Sequence, residues 1–345
     1  MSIVRVLIVD DSAYVRKVFK EILSRSPFVE VVGTARDGEE ALELVEQLRP
    51  DVVTCDLNMP TMDGLAFVRT QMARRPVAIV ISSIAAESAE QVLAALDAGA
   101  IDFVQKPTAL ATEKLLDISA DLIDKVKVAA QAPLAQRPTP NAKAPRAVRA
   151  PSHSPTRADV LVVGASTGGP QALKLVLSQL PPDWPIPVAV VLHMPVGYTE
   201  LYARKLDEVC ALHVVEAQGK EEVAAGTIFV APAGHHLTFS RGPDGIVRTQ
   251  LDMHPLDTPH RPAVDVLFHS AADVYGERVL AVVLTGMGSD GRAGAAWIKA
   301  RGGCVITEAE DSCVVYGMPR SVVEAGLSDH SASLEAIAHV IMEQA

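Results

Sequence analysis

The chain has 345 residues, of which 49% are hydrophobic and 4% aromatic, a length that can supply two separate cores. Its net charge of −11 divides into −6 over residues 1–128, +5 over 129–157 and −10 over the remainder. Two acidic regions joined by a basic strip argue against a nucleic-acid-binding protein. The apolar runs are strand-length and no signal-peptide layout precedes the first strand, so we expect a cytoplasmic chain without membrane insertion.

Residues 1–128 alternate short β-rich runs with helical stretches, a pattern typical of an open parallel sheet with helices on both faces. The predicted strands are Val4–Val9, Val29–Ala35, Val52–Asp56, Ala78–Ser82 and Asp102–Val104. The predicted helices are Ser12–Arg25, Gly38–Leu48, Met62–Ala73, Ala86–Ala98 and Ala111–Lys127. We therefore expect a (βα)5 domain over this region.

The basic strip at residues 129–157 marks the boundary between two domains. It contains six prolines and shows no apolar periodicity, so it cannot bury a core of its own. We expect a flexible linker here, followed by a second domain over residues 158–345.

The second domain repeats the alternation of strands and helices less regularly. Its predicted strands are Val160–Gly164, Val188–Leu192, Leu212–Glu216, Thr227–Ala231, Val279–Thr285 and Cys304–Thr307. A turn at Pro243-Asp244-Gly245 predicts a small antiparallel hairpin within Gly234–Leu251. The whole chain is therefore predicted to be α/β, with a doubly wound parallel sheet in its second domain.

Acidic side chains close two strands of the first domain. Asp10 and Asp11 follow the first strand, and Asp56 ends the third. Because the carboxyl ends of parallel strands meet at one edge of a sheet, the three carboxylates should gather there. They would repel one another without a divalent cation, and oxygen ligands favour Mg²⁺. Lys106, after the fifth strand, and Ser82, which ends the fourth, should lie at the same edge.

These residues make the first domain resemble the receiver domain of two-component response regulators, together with Asn58-Met59-Pro60, Met62-Asp63-Gly64, Phe103 and Lys106-Pro107. The resemblance implies that Asp56 accepts a phosphoryl group from a histidine kinase. It also implies that Mg²⁺ is held by Asp11, Asp56 and the backbone carbonyl of Asn58, with Asp10 assisting. The resemblance further implies that Ser82 and Lys106 contact phosphoryl oxygens. It also implies that Phe103 is the aromatic switch residue.

The second domain opens with a strand, Val160–Gly164, that runs into the sequence Gly164-Ala-Ser166-Thr-Gly168 before a helical segment. Such a turn can hold a serine hydroxyl clear of the sheet as a nucleophile, and a glycine-rich turn can also cradle a phosphate. The next strand ends in His193, where a dinucleotide-binding domain would carry an acidic residue. Serine and histidine at neighbouring strand ends favour a hydrolase.

Asp290 completes a candidate catalytic triad with Ser166 and His193. It lies in the glycine-rich segment Thr285–Gly291 beyond a predicted strand, and so should reach the same edge of the sheet. His193 would take the proton of Ser166 while Asp290 orients the imidazole. The N–H of Met287 is a candidate oxyanion donor. The chain order Ser, His, Asp differs from that of the α/β hydrolases.

With the receiver-like domain attached, the chain resembles the chemotaxis protein-glutamate methylesterases, the CheB family. The matching stretches are Gly164-Ala-Ser-Thr-Gly-Gly-Pro170, His193-Met-Pro195, Ala231-Pro-Ala-Gly-His-His236, His260-Arg-Pro-Ala-Val-Asp-Val-Leu267, Thr285-Gly-Met-Gly-Ser-Asp-Gly291 and Val315-Tyr-Gly-Met-Pro319. The resemblance places the catalytic residues of the family on Ser166, His193 and Asp290. It implies hydrolysis of glutamate methyl esters on a chemoreceptor, with release of methanol and no cofactor, under control of phosphorylation. Some relatives also deamidate receptor glutamines.

Two other functions stay open at this point. A phosphorylation-controlled binding module with a degenerate hydrolase domain would need Asp56 but would survive the loss of Ser166. A receiver-linked dehydrogenase would bind a nicotinamide cofactor at Gly164–Gly169, although the segment lacks the full dinucleotide-binding pattern.

Other polar residues of the second domain compete for roles in the site. Asp257 and Asp265 are rival acids that we rank below Asp290. His235 and His236 have no carboxylate or thiol at zinc-ligand spacing, so we expect no metal in this domain.

Overall fold

The computed structural model describes residues 3–83, 89–106, 114–132 and 158–345, which fall into two compact units divided after residue 137. Most of the predicted linker, residues 133–157, lies outside the described residues, as does Pro107 of the acidic pocket. The predicted helix starts at Ala86 and Ala111 lie outside them too. Across the described ranges, no helix has the length and apolar content that a bilayer crossing requires.

The first unit is an α/β layer structure, and it confirms the predicted (βα)5 fold. Its strands are β1 (Val4–Val9), β2 (Val29–Ala35), β3 (Val52–Asp56), β4 (Ala78–Ser83) and β5 (Asp102–Gln105). Its helices are α1 (Ala13–Leu23), α2 (Gly38–Leu48), α3 (Gly64–Arg74), α4 (Ala89–Ala98) and α5 (Lys114–Ala129). Among the described residues the strands pair in parallel in the order β2-β1-β3-β4-β5. The order reverses between β1 and β3, where the carboxyl ends of the strands open into a crevice.

Side-chain caps explain where the first helices begin. Ser12, Asp37 and Asp63 each accept a hydrogen bond from the backbone N–H three residues further on, at 3.4, 2.9 and 2.7 Å. A cap residue has extended rather than helical torsion angles, so α1 and α3 begin after Ser12 and Met62, where the sequence predicted their starts. Strands β3 and β4 are buried along their whole length, as parallel strands covered on both faces must be.

The second unit contains a larger sheet and a separate hairpin. Its strands are β6 (Val160–Ala165), β7 (Val188–Leu192), β8 (His213–Glu216), β9 (Thr227–Val230), β10 (His236–Arg241), β11 (Val247–Asp252), β12 (Val279–Val283), β13 (Cys304–Glu308) and β14 (His330–Ala332). Its helices are α6 (Gly169–Leu177), α7 (Thr199–Asp207), α8 (Val264–Tyr275), α9 (Arg292–Ala300), α10 (Met318–Glu324) and α11 (Leu334–Gln344). A short 3-10 turn, Gly276–Arg278, leads into β12.

In the part of the chain described, the larger sheet is parallel throughout, in the order β14-β13-β12-β6-β7-β9-β8. Strands β10 and β11 form the predicted antiparallel hairpin. The order of the larger sheet reverses between β6 and β12, which places a crevice at their carboxyl ends. The prediction that β12 extends to Thr285 was wrong, because the Thr285 N–H donates to the Glu308 side chain. Strand β14 was not predicted, since three residues of mixed polarity carry no periodic signal.

Helix α8 approaches the larger sheet closely at Gly164 on β6. A Cβ at this position would lie 2.3 and 2.6 Å from the Cγ1 and Cγ2 methyl groups of Val264. Val264 is fully buried and begins α8. The glycine therefore sets the distance between the sheet and the start of this helix.

We predict that Gly164→Ala destabilises the second unit by about 1–3 kcal/mol, because the added methyl group overpacks a buried contact. Both tryptophans, Trp184 and Trp297, belong to this unit. Tryptophan fluorescence during denaturant unfolding of the full chain therefore reports on it alone. Val264→Ala removes the clashing methyl groups, so the two substitutions combined should cost less than their separate effects add up to. Additive effects would show that the contact is not the cause.

Candidate functional site

Charged side chains meet at the carboxyl edge of the sheet in the first unit. The Nζ of Lys106 lies 2.7 Å from Oδ2 of Asp10 and 2.9 Å from Oδ2 of Asp56, and all three residues are buried. Asp11 is exposed beside them, and one carboxylate oxygen from each aspartate lies within 4.8 Å of the other two. Burial raises the pKa of Asp56, while the hydrogen bond and charge of Lys106 oppose the rise. Three oxygen donors this close suit a hard divalent cation such as Mg²⁺.

The other predicted positions of the acidic pocket lie on the same edge. Ser82 is buried on β4 and stands opposite Asp56 in the strand register. The backbone N–H of Asn58 lies near the Asp56 carboxylate and opposes the rise of its pKa. Phe103 is buried on β5, and the Nζ of Lys125 lies 5.5 Å from the centre of its ring. The pocket therefore brings the predicted anionic, cationic and hydroxyl groups together.

In the second unit, the candidate triad follows three neighbouring strands. Ser166 is the first residue after β6, His193 is the first after β7, and Asp290 lies between β12 and α9. The backbone N–H of His193 donates to the carbonyl of Ala165 at 3.1 Å, and that of Ser166 donates to the carbonyl of Thr285 at 3.0 Å. Backbone hydrogen bonds thus join the three strand ends at one edge of the sheet.

His193 and Asp290 are in direct contact. Nε2 of the imidazole lies 2.8 Å from Oδ2 of Asp290, whereas Nδ1 is buried and has no hydrogen-bond partner among the described residues. An imidazole that donates Nε2–H to a carboxylate carries its lone pair on Nδ1. Within the same described set, no hydrogen bond joins the Ser166 hydroxyl to the ring. The structure therefore pairs the base with the acid and leaves one basic nitrogen available.

Asp290 is a partly buried anion surrounded by N–H donors. Its Oδ2 accepts from the backbone of Val264 at 2.7 Å as well as from His193, and its Oδ1 accepts from Asp265 at 2.9 Å and Gly291 at 3.0 Å. Burial favours the neutral acid, but the hydrogen bonds and charge of His193 and the backbone donors hold the pKa of Asp290 below its usual value. Asp290 is therefore ionised and oriented at neutral pH.

The rival acids occupy other environments. Asp265 directs Oδ1 to the backbone N–H groups of Gly291 and Gly294, at 2.9 and 2.7 Å. Asp257 is exposed. Within the described ranges, neither is hydrogen-bonded to His193.

The turn around Ser166 is closely packed against the loop that follows β12. A Cβ on Gly286 would lie 2.8 Å from Cβ of Ser166 and 2.4 Å from Sδ of Met318, so only glycine fits there. The next residue, Met287, has an N–H with no hydrogen-bond partner among the described residues. Helix α6 begins three residues after Ser166, so its positive end also faces this region. These features can stabilise negative charge beside the serine.

Two histidines near the triad had no predicted role. The ring of His260 stacks on that of His193, with 4.0 Å between ring centroids and 23° between planes. His236 is fully buried, accepts the N–H of Ala263 on Nδ1 at 3.2 Å, and has Nε2 3.1 Å from the carbonyl of Pro255. His236 therefore anchors the segment that carries His260. Two consecutive histidines are a pattern that suggests a metal site, and nothing in it indicates contacts between His236 and the backbone of Pro255 and Ala263.

Glu308 is a buried acid that the sequence analysis missed. It ends β13, where its Oε2 accepts the N–H of Thr285 at 2.8 Å and its Oε1 accepts the hydroxyl of Ser312 at 3.2 Å. Burial raises the pKa of Glu308 to about 7 against the opposing effect of these hydrogen bonds. Its position at the carboxyl end of a strand beside β12 was the available signal. The carbonyl of Thr285 accepts the N–H of Ser166, so Glu308 supports the serine turn through Thr285.

Glu308 should make the second unit less stable as pH rises from about 4.5 to about 7. Within this window the folded protein keeps the proton that the unfolded chain has lost. Between pH 5 and pH 8 the contribution is about 2–3 kcal/mol. Denaturant unfolding followed by tryptophan fluorescence should therefore show a smaller loss of stability in Glu308→Gln than in the wild type. Exposed Glu277→Gln is the matched control. Equal losses in wild type and Glu308→Gln would refute the assignment.

Comparisons with known proteins place both units in described families. Residues 161–341 match the model for CheB methylesterase, and residues 6–118 match that for the response regulator receiver domain. Protein-glutamate methylesterase/protein-glutamine glutaminase 5 of Myxococcus xanthus is 52% identical over 97% of this chain and 96% of its own. The protein-glutamate methylesterase/protein-glutamine glutaminase of Geobacillus kaustophilus is 44% identical over 99% of both chains. The crystal structure of the Thermotoga maritima CheB methylesterase catalytic domain covers 55% of this chain and all of its own, with 40% identity and a TM-score of 0.53.

Proposed function

Because this chain belongs to the CheB methylesterase family and carries a response regulator receiver domain, we propose that it hydrolyses glutamate methyl esters on chemoreceptors through Ser166, His193 and Asp290. It is an enzyme of the protein-glutamate methylesterase/protein-glutamine glutaminase class. The 2.8 Å contact between His193 and Asp290 beside the serine turn carries the proposed mechanism. We assign residues 1–128 to the receiver domain, 129–157 to a linker and 158–345 to the catalytic domain, and propose that the enzyme works in the cytoplasm.

The first half of the reaction forms an ester on the enzyme. Nδ1 of His193 takes the hydroxyl proton of Ser166 as Oγ attacks the carbonyl carbon of the substrate. The imidazolium that forms keeps its Nε2–H on the ionised Asp290, which stabilises it. Nδ1 then gives its proton to the departing methoxide, and methanol leaves. When the substrate is a glutamine, ammonia leaves in the same way.

The second half restores the serine. Nδ1 of His193 removes a proton from water, whose oxygen attacks the acyl carbon, and the proton then passes to Oγ of Ser166. The product is a glutamate carboxylate. In both halves, negative charge develops on the carbonyl oxygen of the substrate. The N–H of Met287 is the proposed donor, and a single donor of this kind is typically worth about 3–4 kcal/mol.

Ser166→Ala should reduce methanol release from a methylated receptor cytoplasmic domain by at least about 10⁴-fold, because no nucleophile remains. Asp290→Asn should lower it by about 10⁴-fold, since the amide no longer holds the required tautomer of His193. Ser178→Ala, at an exposed serine of the same unit, is the matched control and should behave as wild type. Retention of esterase activity in Ser166→Ala would overturn the mechanism, and retention of regulated receptor binding alone would favour a binding module.

We further propose that phosphorylation of Asp56 by the histidine kinase of the pathway controls this activity. Asp11, Asp56 and the carbonyl of Asn58 would hold Mg²⁺, with Asp10 assisting, and the cation would neutralise charge on the incoming phosphoryl group. Lys106 already pairs with Asp56 at 2.9 Å. A phosphoryl group adds nearly two negative charges, which would draw Lys106 and the Ser82 hydroxyl towards it.

The remaining step would carry this change out of the pocket. We propose that Phe103 on β5 shifts when Lys106 and Ser82 move, and that the receiver domain then ceases to restrain the catalytic domain. The long proline-containing linker would permit such a release.

Asp56→Asn should abolish the increase in methanol release that a small-molecule phosphodonor and Mg²⁺ produce in the wild type, because the amide cannot form the acyl phosphate. Asp51→Asn changes an exposed carboxylate next to the opposite end of β3 and serves as the control. The assay compares initial rates before and after addition of the phosphodonor. An increase of wild-type size in Asp56→Asn would exclude this residue as the phosphorylation site.

A further inference from the structure

Helix α8 is capped by a carboxylate from the segment that precedes α9, and α9 is capped by a carboxylate from α8. Asp290, two residues before α9, accepts the backbone N–H groups of Val264 and Asp265 in the first turn of α8, at 2.7 and 2.9 Å. Asp265 in turn accepts the N–H groups of Gly291 and Gly294 at the start of α9, at 2.9 and 2.7 Å. The residues at the cap positions, Ala263 and Gly291, make no side-chain cap hydrogen bond of their own. The two aspartates therefore supply caps that the local sequence lacks.

We propose that Asp265 is a positioning residue that holds Asp290 in place for catalysis. This inference rests on the proposed function, because it requires Asp290 to be the acid that orients His193. The N–H of Gly291 donates to Oδ1 of both aspartates, at 2.9 Å for Asp265 and 3.0 Å for Asp290. Gly291 is bonded directly to Asp290. By accepting this N–H, Asp265 restricts the peptide bond between Asp290 and Gly291. It thereby restricts the backbone that carries the Asp290 side chain.

Close packing leaves the two helices little room to adjust. A Cβ on Gly294 would lie 2.5 Å from Cβ of Phe268 and 3.1 Å from both Cα and the carbonyl oxygen of Asp265. A Cβ on Gly291 would lie 3.1 Å from Cγ1 of Val264. The backbone at the start of α9 therefore rests directly on the first turns of α8. Within this packing, the Oδ1 of Asp265 links the first turn of α8 to the start of α9.

The electrostatic environment requires both aspartates to be held by donors. Burial raises the pKa of Asp265, and the negative charge of Asp290 raises it further, while the N–H groups of Gly294 and Gly291 oppose the rise. Two neighbouring carboxylates would repel one another if these donors were lost. The Asp265 side chain accepts hydrogen bonds from backbone N–H groups, so its effect on His193 passes through the position of Asp290.

Two substitutions in the full chain separate the position of the acceptor oxygen from its charge. Asp265→Asn keeps Oδ1 as an acceptor for Gly291 and Gly294 but removes the charge. Asp265→Glu keeps the charge but moves the carboxylate by one methylene group. If Asp265 acts by position, kcat for methyl ester hydrolysis should stay within about threefold of wild type in Asp265→Asn. It should fall by roughly 10–100-fold in Asp265→Glu, with KM changed by less than about threefold.

Asp329→Ala is the matched control for a loss of stability alone. Asp329 also accepts a backbone N–H, from Val305 at 2.8 Å, and pairs with Lys299 at the opposite end of the sheet. This variant should lose stability in tryptophan-monitored unfolding while its kcat stays within about twofold of wild type. An equal fall of kcat in Asp329→Ala would show that the effect in Asp265→Glu is one of general stability, and would overturn the proposal.

A serine-directed phosphonate distinguishes failure of this inference from failure of the proposed function. Mass spectrometry of the wild type should locate the adduct on Ser166. An adduct on another residue would contradict the proposed function itself. With Ser166 labelled in the wild type, Asp265→Glu should react roughly 10–100-fold more slowly and Asp265→Asn at nearly the wild-type rate. Wild-type reactivity in Asp265→Glu, or a larger loss in Asp265→Asn than in Asp265→Glu, would overturn the positioning role.

Discussion

A single partly buried anion organises the catalytic domain. Asp290 accepts hydrogen bonds from the His193 ring and from three backbone N–H groups, two of which belong to the first turn of α8. An ionised carboxylate is costly to bury unless its oxygens are satisfied in this way. The same donors that make burial tolerable also determine where the carboxylate points. The same carboxylate therefore orients His193, caps α8 and holds the loop after β12 in place.

Both domains place their functional groups in a crevice at the edge of a parallel sheet, but one crevice suits a cation and the other suits a developing anion. In each, functional groups gather where the strand order of a parallel sheet reverses, between β1 and β3 in one and between β6 and β12 in the other. The first crevice concentrates carboxylates around Lys106, which suits a cation and a phosphoryl group. The second surrounds a neutral serine with N–H groups and a helix N-terminus, which suits a developing oxyanion.

Support for the active site extends well beyond the residues proposed to react. Glu308 binds the N–H of Thr285, and the carbonyl of Thr285 in turn binds the N–H of Ser166. His236 anchors the segment of His260, whose ring stacks on His193. Each supporting residue holds backbone or an aromatic face, so Ser166 and His193 are left with few alternative positions.

The sequence by itself determined the elements and the motifs, because these are local. Alternation of apolar runs predicted β1, β2 and β3 with the bounds that the structure has, and the Gly-x-Ser-x-Gly turn placed Ser166 at a strand end. Only the tertiary structure decided that Asp265 caps α9, that Glu308 is buried below Thr285, and that His260 lies on His193. These contacts join residues 23 to 67 positions apart. Their energies depend on burial and on the meeting of distant helix and strand ends, and neither property is written in a local pattern of residues.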